Sequence, residues 1–163
     1  AEVRAAPSIG DAAFAQARVE SRYLMAVGER DRLLLRGQVG ALWTDDFSRL
    51  PPQLRFFAGG DRSLRGFGYQ TLGPTNAADK VRGGRYLAIA SAEYERHLFD
   101  EFGIAGFLDA GNAFDTGDAT LAAGVGVGLR WRSPVGLVRL DLAVPVAGEG
   151  DGLRLHLLIG PEL

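Results

Sequence analysis

Strict alternation of polar and apolar residues recurs in seven segments of this 163-residue chain. In the third segment, for example, Ser91, Glu93 and Glu95 alternate with tyrosines and alanines. A period of two residues is typical of a β-strand with two different faces, whereas helical spacing would scatter the charges around an axis. The predicted strands are residues 14–27, 33–44, 85–96, 103–114, 120–132, 137–146 and 153–160. The chain is therefore predicted to be all-β, an antiparallel meander of about seven strands.

Composition supports a β-rich fold and excludes several classes of function. The chain has 23 glycines, and each interior glycine costs a helix about 0.5–1 kcal/mol relative to alanine. The net charge of −2 provides no basic field, so we expect no nucleic acid partner. The absence of cysteine excludes disulfides, thiolate metal sites and a cysteine nucleophile. We also expect no transmembrane helix, because no apolar run approaches about 18 residues.

The connections between the predicted strands alternate between short and longer ones. Segments 28–32, 97–102 and 133–136 are short, while the other side of the meander includes the long segment 45–84. This asymmetry is typical of transmembrane β-barrels, and strands of about 9–11 residues would span the bilayer. A soluble barrel with an apolar interior shows the same alternation and remains an alternative.

On each predicted strand, alternate residues form a polar face that carries charges of both signs, which favours a hydrated lumen. The residues between them form an opposite face rich in leucine, valine and alanine, with Trp43, Tyr94 and Trp131 near strand ends, as in the aromatic girdles of membrane barrels. Seven strands cannot close a bacterial barrel, and an open sheet leaves edge groups unsatisfied in lipid. The sequence also begins at Ala1 without an initiator methionine. We therefore expect the chain to be part of a larger barrel, with residues 14–27 and 153–160 as the two unpaired edges of an open sheet.

Candidate catalytic and cofactor motifs are weak. His97 lies near a predicted turn and His156 on the last strand, so a shared metal site is not expected. The glycine run 124–128 lacks the spacing of a dinucleotide turn, and we interpret it as strand glycines that permit close backbone approach. The prediction is a protein that is not an enzyme and that has no cofactor and no metal.

The long connection 45–84 is too apolar and aromatic for a solvated tether, and loops of this length are usually functional. Its central residues, Leu64, Arg65, Gly66 and Phe67, resemble the hallmark loop motif of the BamA/TamA outer-membrane protein assembly and translocation family, the surface-antigen barrel domain. Residues 107–111 resemble the second motif of that family, Phe-x-Asp-x-Gly. Further matches at 46–47, 51–52, 54–57, 132–136 and 160–163 extend over most of the chain and most resemble the TamA branch.

The resemblance implies that residues 1–163 are the C-terminal portion of a sixteen-stranded outer-membrane barrel, with the loop of about 45–84 folded into the lumen. It implies that Arg65 contacts Asp109 of the strand motif, close to Phe107, Gly111 and Glu93. In this interpretation the last strand forms a weakly paired seam that can accept a client strand. The seam residues are Leu153, Leu155, Leu157, Ile159 and Gly160.

The implied function is to insert or export β-rich clients, such as autotransporters, in the bacterial cell outer membrane. The implied partners are outer-membrane lipid, unfolded β-barrel client proteins, and the remaining barrel strands and periplasmic repeats of the parent chain. A passive porin-like channel subunit and a soluble ligand-binding β-barrel are the alternatives. Both account for the alternation, but a porin does not account for an apolar loop that carries Arg65.

Overall fold

The computed structural model describes residues 1–9, 12–116, 120–134 and 136–160. For residues 5–9 and 12 it describes the backbone only. They form one antiparallel sheet in which every strand pairs with its sequence neighbour, so the predicted all-β meander is confirmed. The strands are β1 Glu2–Ile9, β2 Ala12–Ala26, β3 Asp31–Thr44, β4 Tyr86–His97, β5 Phe102–Phe114, β6 Ala122–Ser133, β7 Gly136–Ala147 and β8 Arg154–Gly160.

The described sheet has eight strands, so the predicted number of seven is corrected by one. The added strand is β1, which pairs with β2 from Glu2 opposite Arg18 to Ala6 opposite Phe14. Its sequence gave no signal because Ala5 and Ala6 offer no polar and apolar contrast and a proline follows them. The prediction that 14–27 forms an edge of the sheet is therefore wrong.

The second predicted edge lies where the sequence indicated, at β8. In the described part of the chain no ladder joins β1 to β8, and the sheet is open with these two strands at its ends. β8 is also the shortest of the described strands, with 7 residues against 15 in β2. Among the described residues, no helix has the length and apolarity needed to cross a membrane.

The two faces of the sheet differ as the alternation predicts. We call the face that contacts residues 45–84 the inner face, and the opposite one the outer face. The inner face carries the charged parity, and the outer face exposes an apolar surface. Exposed on the outer face are Val19, Val39, Leu108, Val127 and Leu155, whereas Gln38, Asp109, Arg130 and His156 are buried on the inner face.

The inner face is itself divided into an apolar part and an ionic part. Residues 45–84 cover the apolar part, which forms the hydrophobic core of the described chain. The strands contribute Phe14, Leu42, Leu87, Ile89, Ala113 and Ala122, and the loop contributes Phe47, Leu50, Phe56, Ala58, Leu64, Phe67 and Leu72. Burial of this apolar surface stabilises the loop against the sheet, as its composition predicts.

Backbone hydrogen bonds give the loop a fixed shape. Phe56 and Gly84 exchange both backbone bonds, at 3.0 and 2.8 Å, and Ala58 and Leu72 do the same at 3.0 Å each. The loop begins with a turn in which the Ser48 hydroxyl donates to the Asp46 carboxylate, which holds the pKa of Asp46 below its usual range. The loop is thus an ordered element that can place a side chain accurately.

Candidate functional site

The tip of the loop brings Arg65 onto the ionic part of the inner face. A tight turn forms there, in which the Gly60 amide donates to the Leu64 carbonyl at 3.1 Å. Gly66 follows at a φ of +97°, and a Cβ at this position would lie 3.0 to 3.1 Å from the backbone of Val144 and Pro145 in β7. Glycine is therefore needed both for the turn and for the close approach of the loop to β7.

Arg65 and Asp109 form the bidentate contact that the resemblance implies. Arg65 Nε donates to Asp109 Oδ2 at 2.8 Å, and Nη2 donates to Oδ1 at 2.9 Å. The Arg65 backbone amide donates to the same carboxylate at 3.0 Å. The Asp109 side chain is fully buried and that of Arg65 is 4% exposed, and such charge-assisted bonds are among the strongest in proteins.

The remaining guanidinium donors of Arg65 also have partners. Nη1 donates to Glu93 at 2.6 Å and to Asp141 at 3.0 Å. Nη2 lies 3.4 Å from the Ser91 hydroxyl oxygen, and that hydroxyl donates to Asp109 at 2.5 Å. A guanidinium has five N–H donors, and each can be assigned one acceptor here. The site is therefore shaped for arginine, and lysine could not satisfy it.

Phe107 of the predicted strand motif supports this geometry. The Phe107 ring lies under the guanidinium, with Arg65 Cζ 3.4 Å from the ring centroid, a cation–π contact. Gly111 does not contact Arg65; it has a φ of +146°, and a Cβ there would meet the Ala88 carbonyl of β4. Phe67, the last residue of the loop motif, packs beside Gly150 in the connection between β7 and β8.

An ionic network extends from Arg65 across five strands, β3 to β7. Arg130 donates to Glu93 at 2.6 Å, to Glu95 at 2.9 Å and to Asp141 at 2.5 Å. The network then reaches Arg139 through Glu93, at 2.6 Å, and Arg32 through Glu95, at 2.8 Å. Four arginines thus face four carboxylates. The members are Arg32, Arg65, Arg130, Arg139, Glu93, Glu95, Asp109 and Asp141.

Each carboxylate in this network is held by arginines, an arrangement that joins elements and leaves no free acid or base for chemistry. Among the described residues, no group of three or more His, Asp or Glu side chains is arranged to hold a metal ion. What the site can do is bind the loop tip to β4, β5 and β7 at once.

The sequence located part of this site and missed the rest. Arg65, Asp109, Glu93 and Phe107 come together, while the predicted seam residues lie elsewhere: Leu155, Leu157 and Ile159 of β8 are exposed on the outer face, Leu153 precedes that strand, and Gly160 ends it. Arg130, Asp141 and Ser91 were not singled out as site residues. The signal that could have found them is their parity, since they share the charged face with Asp109.

The fold and the site define an all-β protein. Its antiparallel sheet holds the protein's own long loop on its inner face through a buried arginine. The chain belongs to the Omp85 superfamily, because the profile of the Omp85 superfamily domain matches residues 1–161. At the level of the superfamily, this agrees with the resemblance of the sequence to the BamA/TamA family.

Individual relatives are consistent with that assignment. The chain is 29% identical over 155 residues to the outer membrane protein assembly factor BamA of Nitratidesulfovibrio vulgaris, covering 90% of this chain and 20% of the relative. It is 26% identical over 155 residues to a SAM50-like protein of Schizosaccharomyces pombe, covering 85% and 33%. The chain thus spans a fifth to a third of the length of these curated relatives.

The fold also matches a solved structure. The crystal structure of BamA from Haemophilus ducreyi lacking POTRA domains 1–3 aligns with a TM-score of 0.74 and 21% identity. The alignment covers 88% of this chain and 34% of that chain. The likeness concerns the fold.

Proposed function

We propose that residues 1–163 are the C-terminal portion of an outer-membrane β-barrel whose parent protein assembles β-barrel clients. The observation that carries the proposal is the loop tip, where Arg65 is held by Asp109, Glu93 and Asp141 on the inner face of an Omp85 domain. The names of the BamA and SAM50-like relatives support the class of activity. The motifs in the sequence favour the TamA branch, and hence autotransporters among the clients.

The proposed mechanism involves no enzymatic step and no cofactor. In the described sheet β8 pairs along one edge only, with β7, so its other edge can add a client strand through backbone hydrogen bonds. β8 is short, and the proline that follows Gly160 in the sequence has no amide hydrogen to extend a ladder. The proposed partners are outer-membrane lipid, unfolded β-barrel clients, and the other strands and periplasmic repeats of the parent chain.

The proposed function is tested by depleting the parent protein from cells that encode it. We expect the amount of folded outer-membrane barrels, including autotransporter β-domains, to fall, as read by heat-dependent mobility on gels. A passive porin-like channel is the second candidate, favoured by the ionic inner face. Depletion that changes the uptake of small solutes but leaves every folded barrel at its normal level would support the porin and contradict assembly.

A second prediction concerns the outer face, which we propose contacts lipid. Val39→Cys and Leu108→Cys in the full-length parent should react with a membrane-soluble thiol reagent and hardly with a water-soluble one. Arg22→Cys is the matched comparison, because Arg22 pairs with Arg36 across β2 and β3 on the inner face and is exposed. It should react with the water-soluble reagent. Equal labelling of all three cysteines by the water-soluble reagent would contradict the membrane orientation.

A further inference from the structure

His156 connects the last strand to the loop, and the ionic network around Arg65 does not include it. It lies on the inner face of β8, 7% exposed, opposite Asp141 in the β7–β8 ladder. Its Nδ1 pairs with the carboxylate of Asp61, near the loop tip. Its Nε2 lies 3.5 Å from the backbone nitrogen of Gly66. One imidazole on the edge strand therefore contacts the loop on both sides of Arg65.

The partners of His156 determine which ring nitrogen carries the proton. A backbone amide can only donate, so Nε2 must accept from Gly66. In the neutral imidazole the proton then lies on Nδ1 and is donated to Asp61. In this tautomer both ring nitrogens have a hydrogen-bond partner. At position 61 this arrangement needs an oxygen that accepts a hydrogen bond, and that oxygen need not belong to an ionised carboxylate.

The loop is the more firmly held partner in this contact. Its tip is fixed to β4, β5 and β7 by the salt bridges of Arg65 to Glu93, Asp109 and Asp141. β8, by contrast, has 7 residues and pairs in the described chain with β7 alone. Short edge elements with few partners open locally at low free-energy cost. A side-chain contact from a fixed loop would restrain such a strand.

We propose that His156 and Asp61 are positioning residues that hold β8 in place, so that its unpaired edge is presented to a client strand in one position. The presentation of the edge to a client rests on the proposed function, whereas the restraint on β8 does not. The pair ties the loop, close to its Arg65 anchor, to a short strand that pairs along one edge only in the described sheet. In the described part of the chain Asp61 forms no ion pair with an arginine or a lysine, and 42% of its side chain is exposed.

The test is hydrogen exchange of the full-length parent in lipid nanodiscs, read by mass spectrometry on peptides from β8 and β4. Asp61→Ala should make β8 exchange about five- to tenfold faster, the effect of losing one or two hydrogen bonds, while β4 is unchanged. Asp61→Asn keeps a carbonyl oxygen as acceptor and should restore slow exchange. Arg62→Ala is the control, because that neighbouring residue is exposed and forms no ion pair with any of the residues that the structure describes.

The same variants are then assayed for client assembly in cells depleted of the native protein. Slower assembly by Asp61→Ala, with recovery in Asp61→Asn, supports the proposal. Unchanged exchange of β8 in Asp61→Ala overturns the restraint, and faster exchange with normal assembly overturns its role in presenting the edge. Failure of the proposed function is distinguishable, because depletion of the native protein would then leave client assembly unchanged while the exchange measurement still stands.

Discussion

Arg65→Ala in the full-length parent protein is expected to abolish most assembly activity and to destabilise the folded barrel domain. The substitution leaves Asp109, Glu93 and Asp141 buried without the guanidinium that joins them, and their side chains are 0–2% exposed. Removing one partner of a buried pair costs about 3–5 kcal/mol, because the charge left behind stays desolvated. The measurement is the urea midpoint of the heat-dependent mobility shift, together with complementation of depleted cells.

Two further variants separate the geometry of Arg65 from its charge. Arg65→Lys keeps the cation but replaces five N–H donors in a plane by one ammonium group, so we expect partial stability and weak activity. Arg62→Ala removes an exposed arginine three residues earlier in the same loop and should behave as wild type. If Arg65→Ala is no worse than Arg62→Ala, the loop tip is not the anchor described above.

A double-mutant cycle tests whether Arg65 and Asp109 act as a unit. Asp109→Ala alone should also be strongly damaging, since it leaves Arg65 Nε, Arg65 Nη2 and the Ser91 hydroxyl without the buried carboxylate that accepts from them. The double variant should lose much less than the sum of the two single losses, because residues in direct contact are coupled. Strict additivity of the two free-energy changes would mean that the bidentate contact contributes nothing in the complete barrel.

The fold could be predicted from the sequence wherever the two faces of a strand differ in polarity. β5 shows this, because Phe107 and Asp109 face inward while Leu108 is exposed on the outer face. β1 could not be predicted, because its residues 5–7 are alanine, alanine and proline, without contrast between its two faces. The position of β1 is set by its ladder with β2, and pairing of this kind leaves little trace in a small-residue sequence.

The candidate site could be predicted only as far as parity and motif allow. Parity places Asp109 and Asp141 on one face, but it does not give the stagger between β5 and β7. That stagger depends on β6, where Gly124 lies opposite Asp109 and Gly128 lies opposite Asp141. The partnership of Asp141 with Arg65 therefore depends on two registers that alternation alone does not set.

The glycines of β6 explain how the loop can approach so closely. A Cβ at Gly124 would meet the carbonyl oxygen of Arg65, and one at Gly128 would meet the Asp141 carboxylate and the Arg130 guanidinium. A Cβ at Gly126 would meet the Phe107 ring on which Arg65 lies. The glycine run thus leaves the space that the loop tip and its ion pairs occupy, in agreement with its interpretation as strand glycines.

Gly124→Ala is therefore expected to displace the loop tip and to destabilise the parent protein by about 1–3 kcal/mol, the usual cost of adding a methyl group to a filled site. The atom in its way is a backbone oxygen of the loop, which cannot move without pulling Arg65 from Asp109. The urea midpoint should fall, and the loop should become sensitive to protease in intact outer membranes.

The matched control is Gly106→Ala on the neighbouring strand β5. Gly106 lies opposite Val127 on the exposed outer face, and a Cβ there would meet nothing within 4 Å. In open space the same substitution removes chain entropy from the unfolded state, so Gly106→Ala should be neutral or slightly stabilising. Equal effects at both positions would show that glycines of these strands serve strand curvature in general. A loss confined to Gly124→Ala would show that close approach of the loop tip requires glycine at this position.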